Sequence, residues 1–263
     1  MFRTTEISNP DFESNNLRFI TIKTPHLKGR GDICVFVPPD TGSAPIPLLI
    51  LLHGVYGSAW AWTLKGGAHV SAMEMIQNGE IKPMAIAMPS DGLWGDGSAY
   101  LPHNGYDFEK WIVDDVPQAV IENIPAVTST SKLFIGGLSM GGFGALRMGV
   151  KHAEKFQAIS AHSSITDIEQ MPLFVEEDLS HYYQAKPEET SVLSVIKEHR
   201  HHLPAIRFDC GTEDLLIEKN RTLHRQLADE NIKHEYYEFE GGHEWPYWQK
   251  HIRDSLLFFN GQF

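Results

Sequence analysis

The sequence predicts an α/β protein in which helices cover both faces of a mainly parallel β-sheet. Short apolar runs alternate with helical patterns of about 10 to 15 residues along most of the chain, which is typical of this class. The run at 48–52 is apolar at every position, as expected for a strand that is buried on both faces of its sheet. The 263 residues include no internal repeat, low-complexity tract or Gly/Ser linker, so we predict a single domain over 1–263.

The predicted elements follow one another in a regular order. Two extended segments open the chain, and six further strands are expected, giving extended runs at 17–24, 31–37, 48–52, 84–88, 133–135, 156–161, 205–209 and 234–239. Helical patterns lie between and after these strands, at 64–78, 108–124, 141–151, 219–230 and 245–259. The polar, irregular segment at about 163–203 is too long for a simple crossover. We therefore expect a small, cap-like insertion there, with its own helices, over one end of the sheet.

The composition argues against several classes of partner. The chain carries 22 Lys and Arg against 34 Asp and Glu, a net charge of −12, and such an acidic surface repels the phosphates of nucleic acids. No stretch approaches the length of about 18 apolar residues that a membrane-spanning helix needs. Cys34 and Cys210 are the two cysteines and form no dense framework, and residues 1–10 hold no apolar run of signal-peptide length. We expect a cytoplasmic protein that binds neither nucleic acid nor membranes.

A Gly-x-Ser-x-Gly pattern at 137–141 contains the candidate nucleophile, Ser139. The pattern follows a predicted strand and opens a predicted helix, which is the context of a nucleophile elbow. Such a turn needs small neighbours, because larger side chains would collide with the adjacent strand and helix. Gly136, Gly142 and Ala145 extend the stretch of small residues. No Gly-Lys-Ser/Thr follows, which argues against a phosphate-binding loop.

A serine nucleophile needs a base that takes its proton and an acid that orients this base. His243 is the candidate base, because it lies in Gly-Gly-His-Glu-Trp at 241–245, between the last predicted strand and the final helix. For the acid we favour Asp214, in the loop after the preceding strand. Glu213 and Asp209 are the alternatives.

The oxyanion that forms on a substrate carbonyl needs fixed hydrogen-bond donors, each typically worth about 10²–10³ in rate. One donor is the backbone N–H that follows the nucleophile, at Met140. We expect the second donor in the His-Gly loop after the strand at 48–52, and we favour the N–H of Val55. His53 would support this loop by hydrogen bonding and is not the predicted base.

Aromatic residues near two strand ends are candidates for substrate binding. Tyr56 and Trp60 follow the His-Gly loop, and Trp94 lies in the loop after the strand at 84–88. Such rings either form a wall for an acyl or aryl group or only pack their loops onto the domain.

Together these segments resemble the putative-esterase (esterase D-like) family of α/β-hydrolases, and most closely its small bacterial tributyrin and carboxyl esterases. Four segments carry the resemblance, in order along most of the chain: Leu-Leu-His-Gly at 51–54, Gly-Leu-Ser-Met-Gly-Gly at 137–142, Cys-Gly-Thr-Glu-Asp at 210–214 and Gly-Gly-His-Glu-Trp at 241–245. The resemblance implies an α/β-hydrolase fold, catalysis by Ser139, Asp214 and His243, and no metal or organic cofactor.

We predict a serine carboxylesterase that hydrolyses short-chain, aryl or sugar esters through an acyl-enzyme, with a small-molecule ester as its substrate. The alternatives are an S-formylglutathione hydrolase-type thioesterase, a feruloyl or acetylxylan esterase, an acyltransferase, and a binding protein without activity on the same fold. The histidines within 199–202 lack spaced ligand partners, so no metal site is predicted. The sequence leaves open whether the chain forms a homo-oligomer.

Overall fold

The computed structural model describes residues 2–39 and 41–263, which contain a nine-stranded sheet and a separate two-stranded hairpin. The strands are β1 (Thr5–Ile7), β2 (Leu17–Thr24), β3 (Gly29–Phe36), β4 (Leu48–Leu52), β5 (Ala85–Pro89), β6 (Pro102–His103), β7 (Tyr106–Asp107), β8 (Leu133–Leu138), β9 (Phe156–His162), β10 (Ala205–Gly211) and β11 (Glu235–Phe239). In space the sheet runs β1-β2-β3-β5-β4-β8-β9-β10-β11, and β6 pairs with β7 in the hairpin. The strands from β5 to β11 in this order pair in parallel, whereas β1, β2 and β3 add antiparallel strands at one edge.

Helices pack on both faces of this sheet. They are α1 (Ala61–Leu64), α2 (Ala68–Gln77), α3 (Phe108–Lys110), α4 (Val116–Asn123), α5 (Met140–Lys151), α6 (Val192–Glu198), α7 (Ile217–Asp229) and α8 (Trp245–Asn260). One apolar cluster joins the sheet to α4, α5, α6 and α7, and a second cluster joins the opposite face to α1, α2 and α8. All five residues of β4 are buried, as its unbroken apolar run predicted. The predicted mainly parallel sheet with two helical layers is confirmed.

Two predicted helices are interrupted, and each interruption has a local cause. The helix expected at 64–78 is divided into α1 and α2 because Gly67 lies between them with a φ of 59°, outside the helical region. In the helix expected at 108–124, a π-helical turn (Trp111–Asp115) separates α3 from α4. Pro117 has no N–H for the next helical hydrogen bond, and the Val116 N–H donates to the carbonyl of Trp111, five residues back.

The long segment between β9 and β10 has short helices of its own. It contains 3₁₀ turns at Ile168–Leu173, Leu179–Tyr182 and Pro187–Thr190, followed by α6. Tyr182 donates a hydrogen bond to the Gly97 carbonyl at 2.9 Å, and Glu189 accepts one from buried Arg147 of α5 at 2.9 Å. The segment is therefore attached both to the loop after β5 and to the helix after β8. The division into one domain with an insertion at about 163–203 stays our proposal.

The strand order places two loops side by side at the carboxyl edge of the sheet. The chain runs from β4 to β5 on one side and later returns to β8 on the other side of β4, so β4 marks a topological switch point. Leu52 at the end of β4 is in register with Gly137 of β8. The loops that begin at His53 and at Ser139 therefore start next to each other.

Candidate active site

Ser139 lies at the sharp turn between β8 and α5. Its backbone has a φ of 53° and a ψ of −119°, a conformation that residues other than glycine rarely adopt. Its N–H donates to the carbonyl of His162 in β9 at 2.9 Å, which anchors the turn to the sheet. A Cβ atom on Gly137 would lie 2.4 Å from the Gly141 carbonyl oxygen, and one on Gly141 would lie 2.5 Å from the carbonyl oxygens of His53 and Leu52. The close packing of the turn therefore requires both glycines.

The structure brings Ser139, His243 and Asp214 into one hydrogen-bonded chain. The Nε2 atom of His243 lies 3.0 Å from the Ser139 hydroxyl, and its Nδ1 atom lies 2.9 and 3.1 Å from the two carboxylate oxygens of Asp214. The Asp214 side chain is fully buried, whereas His243 keeps 14% of its side chain exposed. Because the carboxylate accepts from Nδ1–H, the unprotonated Nε2 is directed at the hydroxyl proton of Ser139.

Neither alternative acid reaches His243. Asp209 is buried and lies 2.9 Å from the Nδ1 atom of a different histidine, His162, and 2.5 Å from Arg207. Glu213 is exposed to solvent. Asp214 also accepts a hydrogen bond from the Leu216 N–H at 2.8 Å, which holds the carboxylate in the loop before α7.

Near Ser139, His243 and Asp214 lies a buried network of polar side chains that was not predicted from the sequence. Hydrogen bonds of 2.5 to 3.2 Å connect Arg207 to Ser160, Ser160 to Ser255, Ser255 to His162, and His162 and Arg207 to Asp209. The network joins β9, β10 and α8. The signal for it was available, because Ser160 and His162 alternate along an apolar strand and are in register with Arg207 and Asp209 of the next.

Two backbone N–H groups, the predicted oxyanion donors, lie close to Ser139. The Met140 N–H is at the first position of α5, where a helix leaves its amides without a partner inside the helix. Val55 follows Gly54, whose Cα is so close to the elbow that a Cβ there would lie 3.3 Å from the Ser139 Cβ. Within 2–39 and 41–263, no backbone hydrogen bond uses the Val55 N–H.

His53 holds the His-Gly loop in place. Its Nε2 atom accepts a hydrogen bond from the Asp91 N–H at 3.1 Å, so the proton of the ring is on Nδ1. Nδ1 in turn donates to the Gly54 carbonyl at 2.6 Å. The Tyr100 hydroxyl donates to the His53 carbonyl at 3.0 Å. One ring nitrogen is bonded within the His-Gly loop and the other to the loop after β5, which fits a supporting role and leaves no nitrogen to act as a base.

A cavity of about 450 Å³ opens over Ser139. Tyr56 and Trp60, two of the candidate substrate-binding residues, line it, and Val55 lies on its wall. Several further residues of the wall were not predicted from the sequence, because they come from segments that only the fold brings together. These residues are Lys65, Phe174, Trp245 and Trp248.

Trp94 is a correction to the predicted substrate wall, because the cavity's lining does not include it. Its ring packs edge-on against His103, His181 and Tyr182, with centroid distances of 4.6 to 5.7 Å. These contacts join the loop after β5 to the long segment between β9 and β10. The ring therefore packs two loops together and lies outside the lining of this cavity.

Comparison with known proteins identifies the family. The family model described as Putative esterase matches residues 24–259, nearly the whole chain. The chain belongs to this esterase family. An acetyl esterase from Caldicellulosiruptor saccharolyticus is 30% identical over 235 residues, which cover 82% of this chain and 84% of that protein.

Solved structures of other esterases share the fold. A ferulic acid esterase superposes with a TM-score of 0.78 at 21% identity and covers 98% of this chain and 99% of its own. FphF, a fluorophosphonate-binding serine hydrolase of Staphylococcus aureus, has a TM-score of 0.77 at 20% identity, covering 91% of this chain and 96% of its own. The predicted α/β-hydrolase fold is confirmed, and this member of the esterase family is a carboxylic ester hydrolase that acts on small-molecule esters.

The length and composition of the helices bear on whether the chain could cross a membrane. In the part of the chain that the structure describes, no helix combines the length and the apolar composition that crossing a bilayer requires.

Proposed function

We propose that Ser139, His243 and Asp214 are the catalytic residues of a serine carboxylesterase. The observation that carries this proposal is the chain of hydrogen bonds from Ser139 through His243 to Asp214, with Nε2 3.0 Å from the hydroxyl. As the Ser139 oxygen attacks the ester carbonyl, His243 takes its proton and then gives it to the departing alkoxide. Asp214 stabilises the imidazolium that forms between these steps.

The acyl-enzyme is resolved by water in the second half of the reaction. His243 takes a proton from the water, and the resulting hydroxide forms the new bond to the acyl carbon. The bond between the acyl carbon and the Ser139 oxygen then breaks, and His243 gives the proton to this oxygen. In both halves, the N–H groups of Met140 and Val55 donate to the oxyanion. The helix dipole of α5 adds to this stabilisation, because Met140 is at its N-terminus.

The substrate class follows from the cavity and from the relatives. The aromatic side chains of Tyr56, Trp60, Phe174 and Trp245 line a cavity of about 450 Å³, which suits a short acyl group with an aryl or sugar portion. An acetyl esterase and a ferulic acid esterase are among the relatives. Rates for acetyl, butyryl, octanoyl, feruloyl and S-formylglutathione substrates will rank these classes. A cytoplasmic location belongs to the same proposal.

The test of the nucleophile is the variant Ser139→Ala. We expect hydrolysis of p-nitrophenyl acetate to fall by about 10³-fold or more, because the remaining groups cannot form an acyl-enzyme. Stoichiometric labelling by a fluorophosphonate should be lost together with the activity. Ser180→Ala, at an exposed serine, is the matched control and should keep both. Full labelling of Ser139→Ala would reject the assignment.

A further inference from the structure

We propose that Phe174 is a positioning residue for His243, and that Tyr56 holds Phe174 in this position through a hydrogen bond. The inference rests on the proposed role of His243 as the base. It assigns a task in the ester hydrolysis to the segment between β9 and β10, which carries Phe174, and connects this segment to the loop that carries Val55.

The first observation is the stacking of Phe174 on the imidazole. The two ring centroids are 5.1 Å apart and the planes meet at 29°. Trp248 packs edge-on against the same imidazole, at 5.0 Å and 90°. The two rings therefore restrict the imidazole in two directions. The face of an aromatic ring also attracts a cation, so Phe174 stabilises the imidazolium that forms when Ser139 is deprotonated.

The second observation is a hydrogen bond that spans the cavity. The Tyr56 hydroxyl donates to the backbone carbonyl oxygen of Phe174, across 118 positions of sequence. Both residues line the cavity over Ser139, and the Tyr56 side chain is otherwise 66% exposed. A ring this exposed gains little from packing, so its hydrogen bond to Phe174 is the contact that gives it a defined place.

The third observation is that Tyr56 is itself held rigidly. It directly follows Val55 and has a φ of 56°, a left-handed conformation that is costly for an aromatic residue. Its N–H donates to the Asp96 carbonyl at 2.8 Å. The backbone of Tyr56 is therefore anchored directly after the proposed oxyanion donor, and its ring reaches Phe174 from this anchored position.

A second pair of hydrogen bonds fixes the same two loops to each other. The Asp96 N–H donates to the Glu177 carboxylate at 2.8 Å, and the Glu176 N–H donates to the Asp96 carboxylate at 3.0 Å. Phe174 thus begins a short stretch, 174–177, that is attached at both ends to the loops beside the nucleophile. The His-Gly loop and the base share this support, so a loss at one contact is expected to affect both.

The first test compares Phe174→Leu with Phe174→Tyr. Loss of the ring should lower kcat/KM about 2- to 30-fold, the range that corresponds to a cation–π contribution of about 0.5–2 kcal/mol. The effect should fall mainly on kcat, because the imidazolium exists only during the reaction. Phe174→Tyr keeps the ring and should recover most of the rate that Phe174→Leu loses.

The pH–rate profile separates positioning from a merely structural role. Because the Phe174 ring favours the protonated imidazole, its removal should move the acid limb of kcat/KM to lower pH. These variants leave the other charged groups of the site unchanged. Asp214 is bonded to the imidazole, and Lys65 and Glu244 line the same cavity. A general loosening of the fold would lower the rate at all pH values without moving the limb.

The second test addresses the hydrogen bond of Tyr56. Tyr56→Phe removes only the hydroxyl and should cause a smaller loss of kcat than Phe174→Leu, with the acid limb moved in the same direction. The double variant should lose less than the product of the two single losses, because both act through one ring. Tyr183→Phe, at an exposed tyrosine of the same segment, is the matched control and should behave as the wild type.

Three results would each overturn the inference. Phe174→Leu could have wild-type kinetics, Phe174→Leu and Phe174→Tyr could lose equal activity, or Tyr56→Phe and Phe174→Leu could have independent effects. Thermal unfolding of every variant identifies a loss caused by misfolding. Failure of the proposed function would give a different result. Ser139→Ala would then keep its activity and its labelling, independently of the kinetics of the Phe174 variants.

Discussion

Asp209, on β10, and Asp214, in the loop that follows it, differ in the histidine that each contacts. Asp214 meets the ring of His243, whereas Asp209 meets the ring of His162 and the guanidinium of Arg207. Burial by itself would raise the pKa of the Asp209 carboxyl, but the charge and hydrogen bonds of His162 and the charge of Arg207 hold this pKa at about 2. Asp209 is thus an anion at neutral pH within the protein's interior, and its partners leave it no contact with the proposed base.

At the same scale, Asp214→Asn tests the assignment of the acid. An amide in place of the carboxylate presents Nδ1 with a group that can donate, which favours the wrong tautomer of His243. We expect kcat to fall by about 10³–10⁴-fold at neutral pH, with the urea midpoint close to that of the wild type. Glu213→Gln, at the exposed neighbour, is the control and should retain its activity. A loss of rate in Glu213→Gln and none in Asp214→Asn would reverse the assignment.

At the scale of elements, the elbow depends on how closely β8 and α5 approach β4. Gly141 is the second residue of α5 and lies directly against the carbonyl groups at the end of β4. Small side chains here let the helix start beside the His-Gly loop, so that the segments carrying the two proposed oxyanion donors, Met140 and Val55, begin next to each other. The strained φ of Ser139 persists because the neighbouring strands and helix enclose the turn.

We expect Gly141→Ala to damage both stability and catalysis. The added methyl would lie 2.5 Å from two backbone oxygens, so α5 and β4 would have to move apart. Overpacking of this kind typically costs about 1–3 kcal/mol in the free energy of unfolding, and it displaces the oxyanion donors. Urea unfolding and kcat measure the two effects. Gly29→Ala, whose methyl would meet its nearest atom at 3.4 Å, is the control, and an equal loss there would contradict this explanation.

At the scale of the whole molecule, the buried network connects the site to the core. Strands β9 and β10 supply four of its polar side chains, and α8 supplies Ser255 and also Tyr247, whose hydroxyl donates to Asp209 at 2.8 Å. Tyr247 lies four residues beyond His243, and the His162 backbone carbonyl accepts from the Ser139 N–H. The network therefore ties the segments that carry the nucleophile and the base to the same part of the sheet.

Asp209→Asn should destabilise the whole fold, because Arg207 would keep a buried charge without its partner. Breaking a buried ion pair typically costs about 3–5 kcal/mol, which urea unfolding at neutral pH would detect. In the wild type, the lowered pKa of Asp209 stabilises the fold above pH 4, and this contribution is lost as the pH falls from about 4 to about 2. The variant should lack that part of the acid dependence. An unchanged urea midpoint at neutral pH would refute this role of the network.

The local sequence was sufficient for the fold class and for the turn that carries the proposed nucleophile, since strand periodicity, the glycine pattern and the strand–turn–helix order are all properties of neighbouring residues. It also placed His243 and Asp214 directly after strands whose carboxyl ends meet at one edge. It was less informative for helices, because Gly67 and Pro117 interrupt patterns that periodicity alone treats as continuous.

Only the tertiary structure decided which acid meets His243, since three carboxylates in 209–214 satisfy the same local pattern and the paths of two loops select one. The same holds for the cavity wall, where Phe174 is present and Trp94 is absent because the long segment after β9 folds back over the nucleophile. Such contacts join residues that are far apart in sequence, and their existence depends on packing and loop geometry that no local pattern encodes.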